Sequence, residues 1–324
     1  MKPAGRLTAA SLALAALAFG AADQPPPRTV VTLGFDDARE TQLVALPLLA
    51  AHGMRASFFI NSGNVGTRGY LDYARLAEIQ AAGHELGGHT VDHEVLTTLS
   101  PAETTHQACD DRQALAAAGL GPLTSFAYPG GATDPERSAI VASCGYRYGW
   151  AQGGLDGADC TADCVFAEPA EPPDPMRLRS PRSVEQDWTL EDLQGFVLRA
   201  ERTGGWIGLS FHHVCDDCGY RYRISPALLE QFLSWLAPRA ASGTVVLPLA
   251  EAFAGASPEG PPPTPDPATA TPAVARAPSP LEPTPTEPGR PVADGCSTGA
   301  SSSPGWLPAA LLALLLRRVR SAGR

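Results

Sequence analysis

Two absences narrow the reading of this chain before any motif is considered. No block of Lys or Arg interrupts its middle, and neither of its apolar runs, residues 7–19 and 306–316, is long enough to cross a bilayer comfortably. The first absence, with a net charge of −10, argues against a nucleic-acid partner and favours a neutral or cationic ligand. The second argues against a plain membrane-spanning anchor. What remains is globular in composition: 44% of 324 residues are apolar, in a chain too long for a minimal domain and short for three. The 32 prolines, about twice ordinary usage, are unevenly placed.

The ends read as targeting and tethering segments. Lys2 and Arg6 precede the apolar run 7–19, and Gly20-Ala21-Ala22 supplies small residues for cleavage, so residues 1–22 are expected to be a signal peptide. Residues 257–291 hold 13 prolines among Thr, Ala and Glu. Such a segment cannot bury a core, and residues 256–294 read as a Pro-rich disordered stalk. Residues 295–324 follow, with Gly295-Cys296-Ser297, the short apolar run and Arg317-Arg318-Val319-Arg320. Six cysteines lie in the body of a chain expected to be exported, where disulfides are the default. The close pairs Cys160/Cys164 and Cys215/Cys218 suggest local bridges and leave Cys109 with Cys144; a four-cysteine metal site is the alternative.

From 28 to 255 the pattern alternates. Strand-like runs fall at 30–35, 56–60, 85–87, 125–128, 206–211 and 244–247, and helix-like runs at 42–52, 71–82, 102–118, 136–143, 190–203 and 226–240. Ser100-Pro101-Ala102-Glu103 is a capping box with Pro in the first turn, and Asp134-Pro135 and Ser225-Pro226 repeat the N-cap and Pro pairing. An α/β pattern of this kind argues for a parallel sheet with helical crossovers, either a barrel or a doubly wound sheet. Residues 153–184, rich in Asp, Pro and Gly, read as a long loop.

Three short stretches carry chemistry. The first apolar run ends on Asp36-Asp37, two carboxylates at a strand end, which on an extended chain face different partners; a helix N-cap is the bland alternative. His89 and His93, four apart, would share one side of a helical turn and could share an ion with a carboxylate. The strand 206–211 ends on His212-His213. On that strand Gly208 and Ser210 share a side with His212, while Leu209 and Phe211 share the other with His213. Small residues suit a crowded barrel axis, which places His212 on the site side, where a His is a natural general acid. His52, His84 and His106 read as surface or satisfied polar residues.

Together these stretches resemble the polysaccharide deacetylases related to the nodulation-factor deacetylase, over residues 28–253. The resemblance implies a distorted (β/α) barrel of about seven strands and one divalent metal ion, usually zinc. It implies Asp37, His89 and His93 as ligands, Asp36 as general base, His212 as general acid, and an acetylated polysaccharide as substrate. The C-terminal segment similarly resembles myxobacterial surface-sorting tails. That implies a tail that is a processing signal, sorting machinery and membrane as partners, and a place at the cell envelope or surface.

The chain also departs from the family. The motif often written Phe-Arg-x-Pro-Tyr-Gly is here Phe126-Ala127-Tyr128-Pro129-Gly130-Gly131. The arginine that pairs with the base is therefore Ala127, and the aromatic is Gly130, whose backbone N–H remains for an oxyanion; Tyr128 is the neighbouring substrate candidate. Asp187-Trp188 stands where an Asp-Trp often supports the acid histidine, and Ala38 replaces the Gly after Asp-Asp. A carbohydrate-binding module without turnover and a surface adhesin on a deacetylase scaffold are the alternatives.

Overall fold

A computed structural model describes residues 29–156 and 164–254. The expected signal peptide, stalk, sorting tail and Cys160 lie outside them. In chain order the described elements are β1 (Thr29–Phe35), α1 (Ala45–Ala51), β2 (Ser57–Ile60), α2 (Tyr73–Ala81), β3 (Glu85–Gly88), α3 (Pro101–Thr105), α4 (Asp111–Ala117), β4 (Ser125–Ala127), α5 (Pro135–Ser143), β5 (Tyr148–Trp150), α6 (Leu190–Thr203), β6 (Gly205–Phe211), β7 (His213–Val214), β8 (Arg223–Ile224), α7 (Pro226–Leu236), β9 (Thr244–Val246) and α8 (Leu249–Ala252). Ser100, Asp134 and Ser225 cap α3, α5 and α7 as their side chains predict.

Seven of the strands form one parallel sheet in the order β5-β4-β3-β2-β1-β6, with β9 also on β1. One edge of β1 pairs with β6 along its whole length, from Thr29 opposite Gly205 to Phe35 opposite Phe211. Its other edge is divided, β9 taking Thr29 to Val31 and β2 taking Gly34 and Phe35. β5 was not legible as a strand because only three residues of it pair. The sheet curls, and the segment expected to be a long loop spans the gap. Leu178 pairs with Trp150 of β5, and Glu168 pairs with Trp206 of β6. The architecture is a distorted (β/α) barrel closed by irregular chain.

Trp150 fills the barrel interior. A Cβ added to Gly34 would lie 2.6 Å from its ring, and one added to Gly208 2.4 Å, so only glycine lets both central strands approach it. Below it lie Phe59, Trp206, Leu249 and Phe253. The start of α8 is tied to the sheet: Leu249 N–H donates to Ser57 Oγ and Ala250 N–H to the buried Glu85 carboxylate. With that end plugged, the C-terminal strand ends form the open rim. The helices cover the outside through a second core that includes Phe35, Phe58, Leu49 and Phe232. Among the described residues no helix is long and apolar enough to cross a membrane.

The helix expected at 102–118 is broken by a π turn, His106–Asp110. That turn carries Cys109, bonded to Cys144 at the end of α5 with Cα atoms 4.9 Å apart. Cys215 is bonded to Cys218, and Cys164 is disulfide-bonded too. The four-cysteine metal site is thereby excluded, because disulfide sulfurs are not thiolate ligands.

His84 is buried at the foot of β3, where its Nδ1 accepts the Ala56 N–H at 3.1 Å. Burial, with the neighbouring Arg55 guanidinium, pushes the imidazole down to about 4. The unfolded chain therefore takes up a proton first as pH falls, so the stability tied to neutral His84 is full above about pH 6.5 and is lost toward pH 4. Urea unfolding in chelator should show a falling midpoint across that window. The fall should be shallower in His84→Asn, whose Oδ1 can keep the Ala56 bond. Parallel pH profiles for the two proteins would count against this account.

Candidate metal and hydrolytic site

The parallel register of β1 and β6 brings two motifs to one point on the rim. Asp36 continues the ladder, its N–H donating to Phe211 O at 2.9 Å. The chain then leaves the extended region. Asp37 has φ 75° and Ala38 φ 53°, and Thr90 and His93 in the facing loop have φ 70° and 62°. These are all the described non-glycine residues with positive φ. Each costs on the order of 1 kcal/mol or more. Their confinement to the two loops that carry the acids and imidazoles marks the place where the fold tolerates strain. Ala38 thus occupies a backbone position that glycine would adopt freely.

Two expectations need correcting here. Asp36 and Asp37 do face different partners, but through a left-handed turn at Asp37 and not through strand alternation. His89 and His93 do meet, but on no helix: β3 ends at Gly88 and the segment after it is a loop. That loop is held from several sides. The buried Asp111 accepts the Ser62 N–H at 2.9 Å and the His89 N–H at 3.1 Å, Asn61 Nδ2 donates to His89 O, and Gln107 exchanges hydrogen bonds with Asp92. Burial pushes the Asp111 carboxyl up to about 7 despite those donors.

His89 Nε2 lies 3.5 Å, and His93 Nε2 3.3 Å, from Asp37 Oδ1. One ligand atom from each residue falls within 4.8 Å of the others. His89 Nδ1 lies 2.7 Å from Ala127 O. A carbonyl only accepts, so Nδ1 carries the proton and Nε2 presents its lone pair to Asp37. Asp37 Oδ1 and His89 Nε2 are both buried without a hydrogen-bond partner. Two acceptors converging without a proton between them are what a cation would satisfy, so these residues fit a divalent ion. His93, 42% exposed on its side chain, leaves one side of the cluster open.

Arg39 completes the Asp37 environment. Its Nη2 and Nε donate to Oδ2 at 3.2 and 3.3 Å while the guanidinium lies over the Tyr70 ring. Burial pushes the Asp37 carboxyl up, but His89, His212, His93 and Arg39 together outweigh it and hold the group below its ordinary range. Burial and the adjacent His89 hold His93 below the usual imidazole value, against the pull of Asp37 and Asp36.

Asp36 faces the other way. Its Oδ2 accepts from Ser210 Oγ at 2.6 Å and lies 3.9 Å from His212 Nε2. Ser210 stands 3.5 Å from Ser183 Oγ, which accepts from Gln152 Nε2 at 2.7 Å. The buried Gln42 amide donates to the backbone carbonyls of both Asp36 and His212, tying the acid to the histidine. Neither Ser210 nor Gln42 stood out as functional in the sequence. Ser210 had at least been placed on the side of β6 that carries His212. His213 points elsewhere, its Nδ1 3.1 Å from Thr41 Oγ1, and burial with Arg39 and His212 pushes it down to about 4.

Other expected participants sit apart. Tyr128 is turned into the core, its hydroxyl donating to Met176 O and its N–H to Trp150 O, so neither group is free for a substrate. Gly130 lies in the short 3-10 turn Pro129–Gly131 with φ 67°. Asp187 is exposed, and His212 Nδ1 is buried without a partner, so the expected support is not made. Trp188 is buried and stacks on Phe196 with ring centroids 5.1 Å apart.

A parallel (β/α) barrel with an Asp-His-His cluster and a separate Asp-His pair at its C-terminal rim defines a class of candidate hydrolases. In comparison with known proteins, residues 23–149 match the polysaccharide deacetylase family model. The chain is 36% identical over 101 residues to a chitin deacetylase of Pestalotiopsis sp, covering 30% of this chain and 32% of that protein. It is 26% identical over 128 residues to the polysaccharide deacetylase-family protein YxkH of Bacillus subtilis (strain 168), covering 39% of this chain and 46% of that one. The match thus spans less than half the length of these relatives. A family 4 acetyl xylan esterase from Clostridium thermocellum, solved with a cobalt ion, aligns with a TM-score of 0.47 at 20% identity over 69% of this chain and 90% of that one.

Elemental analysis of the purified protein should find about one divalent ion per chain. His93→Ala and Asp37→Asn should each remove most of it, whereas Asp36→Asn, whose carboxylate bonds Ser210 instead, should keep it. Equal loss in both aspartate variants would overturn this division.

Proposed function

We propose that this protein is a metal-dependent deacetylase that hydrolyses N-acetyl or O-acetyl groups on an extracellular or cell-surface polysaccharide. The observation that carries the reading is the separation of roles between adjacent carboxylates. Asp37 converges with two imidazoles, while Asp36 is hydrogen-bonded by a neutral hydroxyl and faces a histidine across 3.9 Å. A site that only bound a cation would need the first group alone.

A divalent ion, with zinc the family's usual choice, held by Asp37 Oδ1, His89 Nε2 and His93 Nε2 would polarise the acetyl carbonyl and acidify water. Asp36 then acts as general base on the attacking water, its free carboxylate edge oriented by Ser210 Oγ. The N–H of Gly130, in the tight left-handed turn after Pro129, is suited to the developing oxyanion. His212 delivers a proton to the departing nitrogen or oxygen, without which the amine would be a poor leaving group. Acetate and the deacylated sugar are the products. The matched relatives include a chitin deacetylase, which supports an N-acetylated glycan as the first substrate to try. Export and retention at the cell envelope through residues 295–324 belong to the same proposal and rest on the sequence pattern of the two ends.

Acetate release from chitin oligomers, peptidoglycan and acetylated xylan, with and without chelator, tests the reading; no release from any of them would sink it. Within an active enzyme, His212→Ala should cost on the order of 100-fold in kcat, the usual scale for one proton-transfer group. His213→Ala should cost far less in kcat, and the reverse order would move the acid to His213. Ser210→Ala should lower kcat by roughly tenfold or more, the scale of one hydrogen bond to a charged group. It should leave metal content intact, and an unchanged kcat would show that Asp36 is held by something else.

A further inference from the structure

The segment that follows His212 carries two exposed tyrosines, and the proposed chemistry uses neither. Tyr220 is 49% and Tyr222 42% exposed, among the few large side chains so open on this surface. Exposed aromatic rings are ordinarily mobile, but these are fixed. Tyr220 stacks on the buried His213 with ring centroids 3.8 Å apart and planes within 4°. Thr41 Oγ1 holds that histidine at its ring edge, 3.1 Å from Nδ1. The Tyr222 ring lies 5.2 Å from the His212 ring, and its carbonyl accepts the His213 N–H at 3.1 Å.

The backbone that presents them is equally constrained. The Cys215–Cys218 disulfide closes its start, and β7 and β8 pair across it. Arg221 forms a two-pronged ion pair with the buried Glu185 at 2.7 and 3.0 Å, and Arg223 donates to Tyr220 O at 2.6 Å. A loop with this much bracing holds its rings where a ligand meets them without further ordering cost. Tyr220 is half-exposed and carries on one face His213, which burial keeps neutral, while the Arg221 guanidinium lies over the Tyr222 ring 5.5 Å from its centroid, so the ledge is apolar at Tyr220 and bordered by a cation at Tyr222.

We propose that Tyr220 and Tyr222 form a carbohydrate-binding ledge that stacks the C–H faces of pyranose rings adjoining the acetylated sugar in the same polysaccharide chain. The assignment rests on the deacetylase reading for the identity of its ligand, and on continuity with His212 for its place. The ledge also supplies aromatic surface to a chain that has Gly130 where the family often has an aromatic. His213, set aside as the general acid, acts here as the support beneath Tyr220. Dispersion and apolar burial, not hydrogen bonding, would dominate at such a ledge, so it tolerates differences in sugar substituents.

The test uses the full chain and reads binding apart from turnover, by depletion onto insoluble chitin, acetylated xylan and peptidoglycan. The doubly substituted Tyr220→Ala, Tyr222→Ala protein should bind at least one polymer at least tenfold more weakly than the parent. Its KM for a chitin tetramer should rise by a similar factor with kcat changed far less. Phe at both positions should restore affinity, and Tyr73→Ala, an exposed tyrosine on α2, should leave affinity as it was. Melting temperatures matching the parent would confirm that the variants fold. The ledge is overturned if the double variant binds within twofold of the parent, if Tyr73→Ala weakens binding equally, or if the parent binds none of the polymers. Binding that depends on the tyrosines without acetate release by the parent would instead sink the deacetylase reading and leave the ledge standing.

Discussion

The site depends above all on the ladder between β1 and β6. Their seven-residue parallel register sets Phe35 opposite Phe211. One step further, the two chains must place Asp36 beside His212 at the same height on the rim. A slip of one residue would turn Ser210 away from Asp36 and bring Leu209 or Phe211 into its place. The register is not held by the ladder alone. Gly34 and Gly208 are the only residue type that clears Trp150 at their heights, and the Gln42 amide grips the carbonyls of both Asp36 and His212. Packing below the site and a buried side chain above it therefore enforce one alignment.

The same arrangement explains where strain is stored. Parallel strands deliver side chains to the rim but cannot by themselves bend three of them onto one point. Asp37 and His93 reach each other only because the chain turns left-handed at both, with Ala38 and Thr90 following or preceding them. The cost is borne by a surround that leaves little alternative: Asp111, Asn61 and Gln107 take up the backbone and side-chain polar groups of the histidine loop. A cluster of unpaired acceptors on so rigid a frame is the arrangement expected of a preorganised cation site.

The strands that carry the site were legible because buried parallel strands are continuous apolar runs, and 30–35 and 206–211 are such runs. The helices with side-chain caps were legible for the same local reason. What could not be seen depends on distant chain. β5 is three residues long and becomes a strand only because β4 lies beside it. The stretch around Glu168 and Leu178 has loop composition, yet it completes the barrel by pairing with Trp206 and Trp150. Within the site, the convergence of Asp37, His89 and His93 was visible from residue type and spacing, although the spacing worked through a loop and not a helix. Ser210 and Gln42 act through their neighbours across about 170 residues of sequence, and no local pattern announces such a partner. Tyr128 misled for the converse reason: an aromatic next to a motif proline looks available until the Met176 carbonyl claims its hydroxyl.

The missing arginine is where sequence and structure together say most. Ala127 faces an interior filled by Phe59, Trp150 and Leu178, an apolar setting in which a guanidinium would be costly to desolvate. In its place Asp36 is oriented by a hydroxyl, backed by Ser183 and Gln152, which fixes direction without bringing a charge. The positive charge has not left the site. Among the described residues the arginine paired with a site acid is Arg39, and it sits on Asp37 Oδ2. The charge stands beside Asp37 and not beside Asp36. There it occupies one carboxylate oxygen and leaves Oδ1 to meet the two imidazoles. A charge-assisted bond to Oδ2 leaves Asp37 a single free oxygen, while Asp36 takes only a neutral hydroxyl bond that does not offset its charge. The exchange keeps the two adjacent acids chemically distinct, which a symmetric pair of aspartates in one low-dielectric cleft could not be.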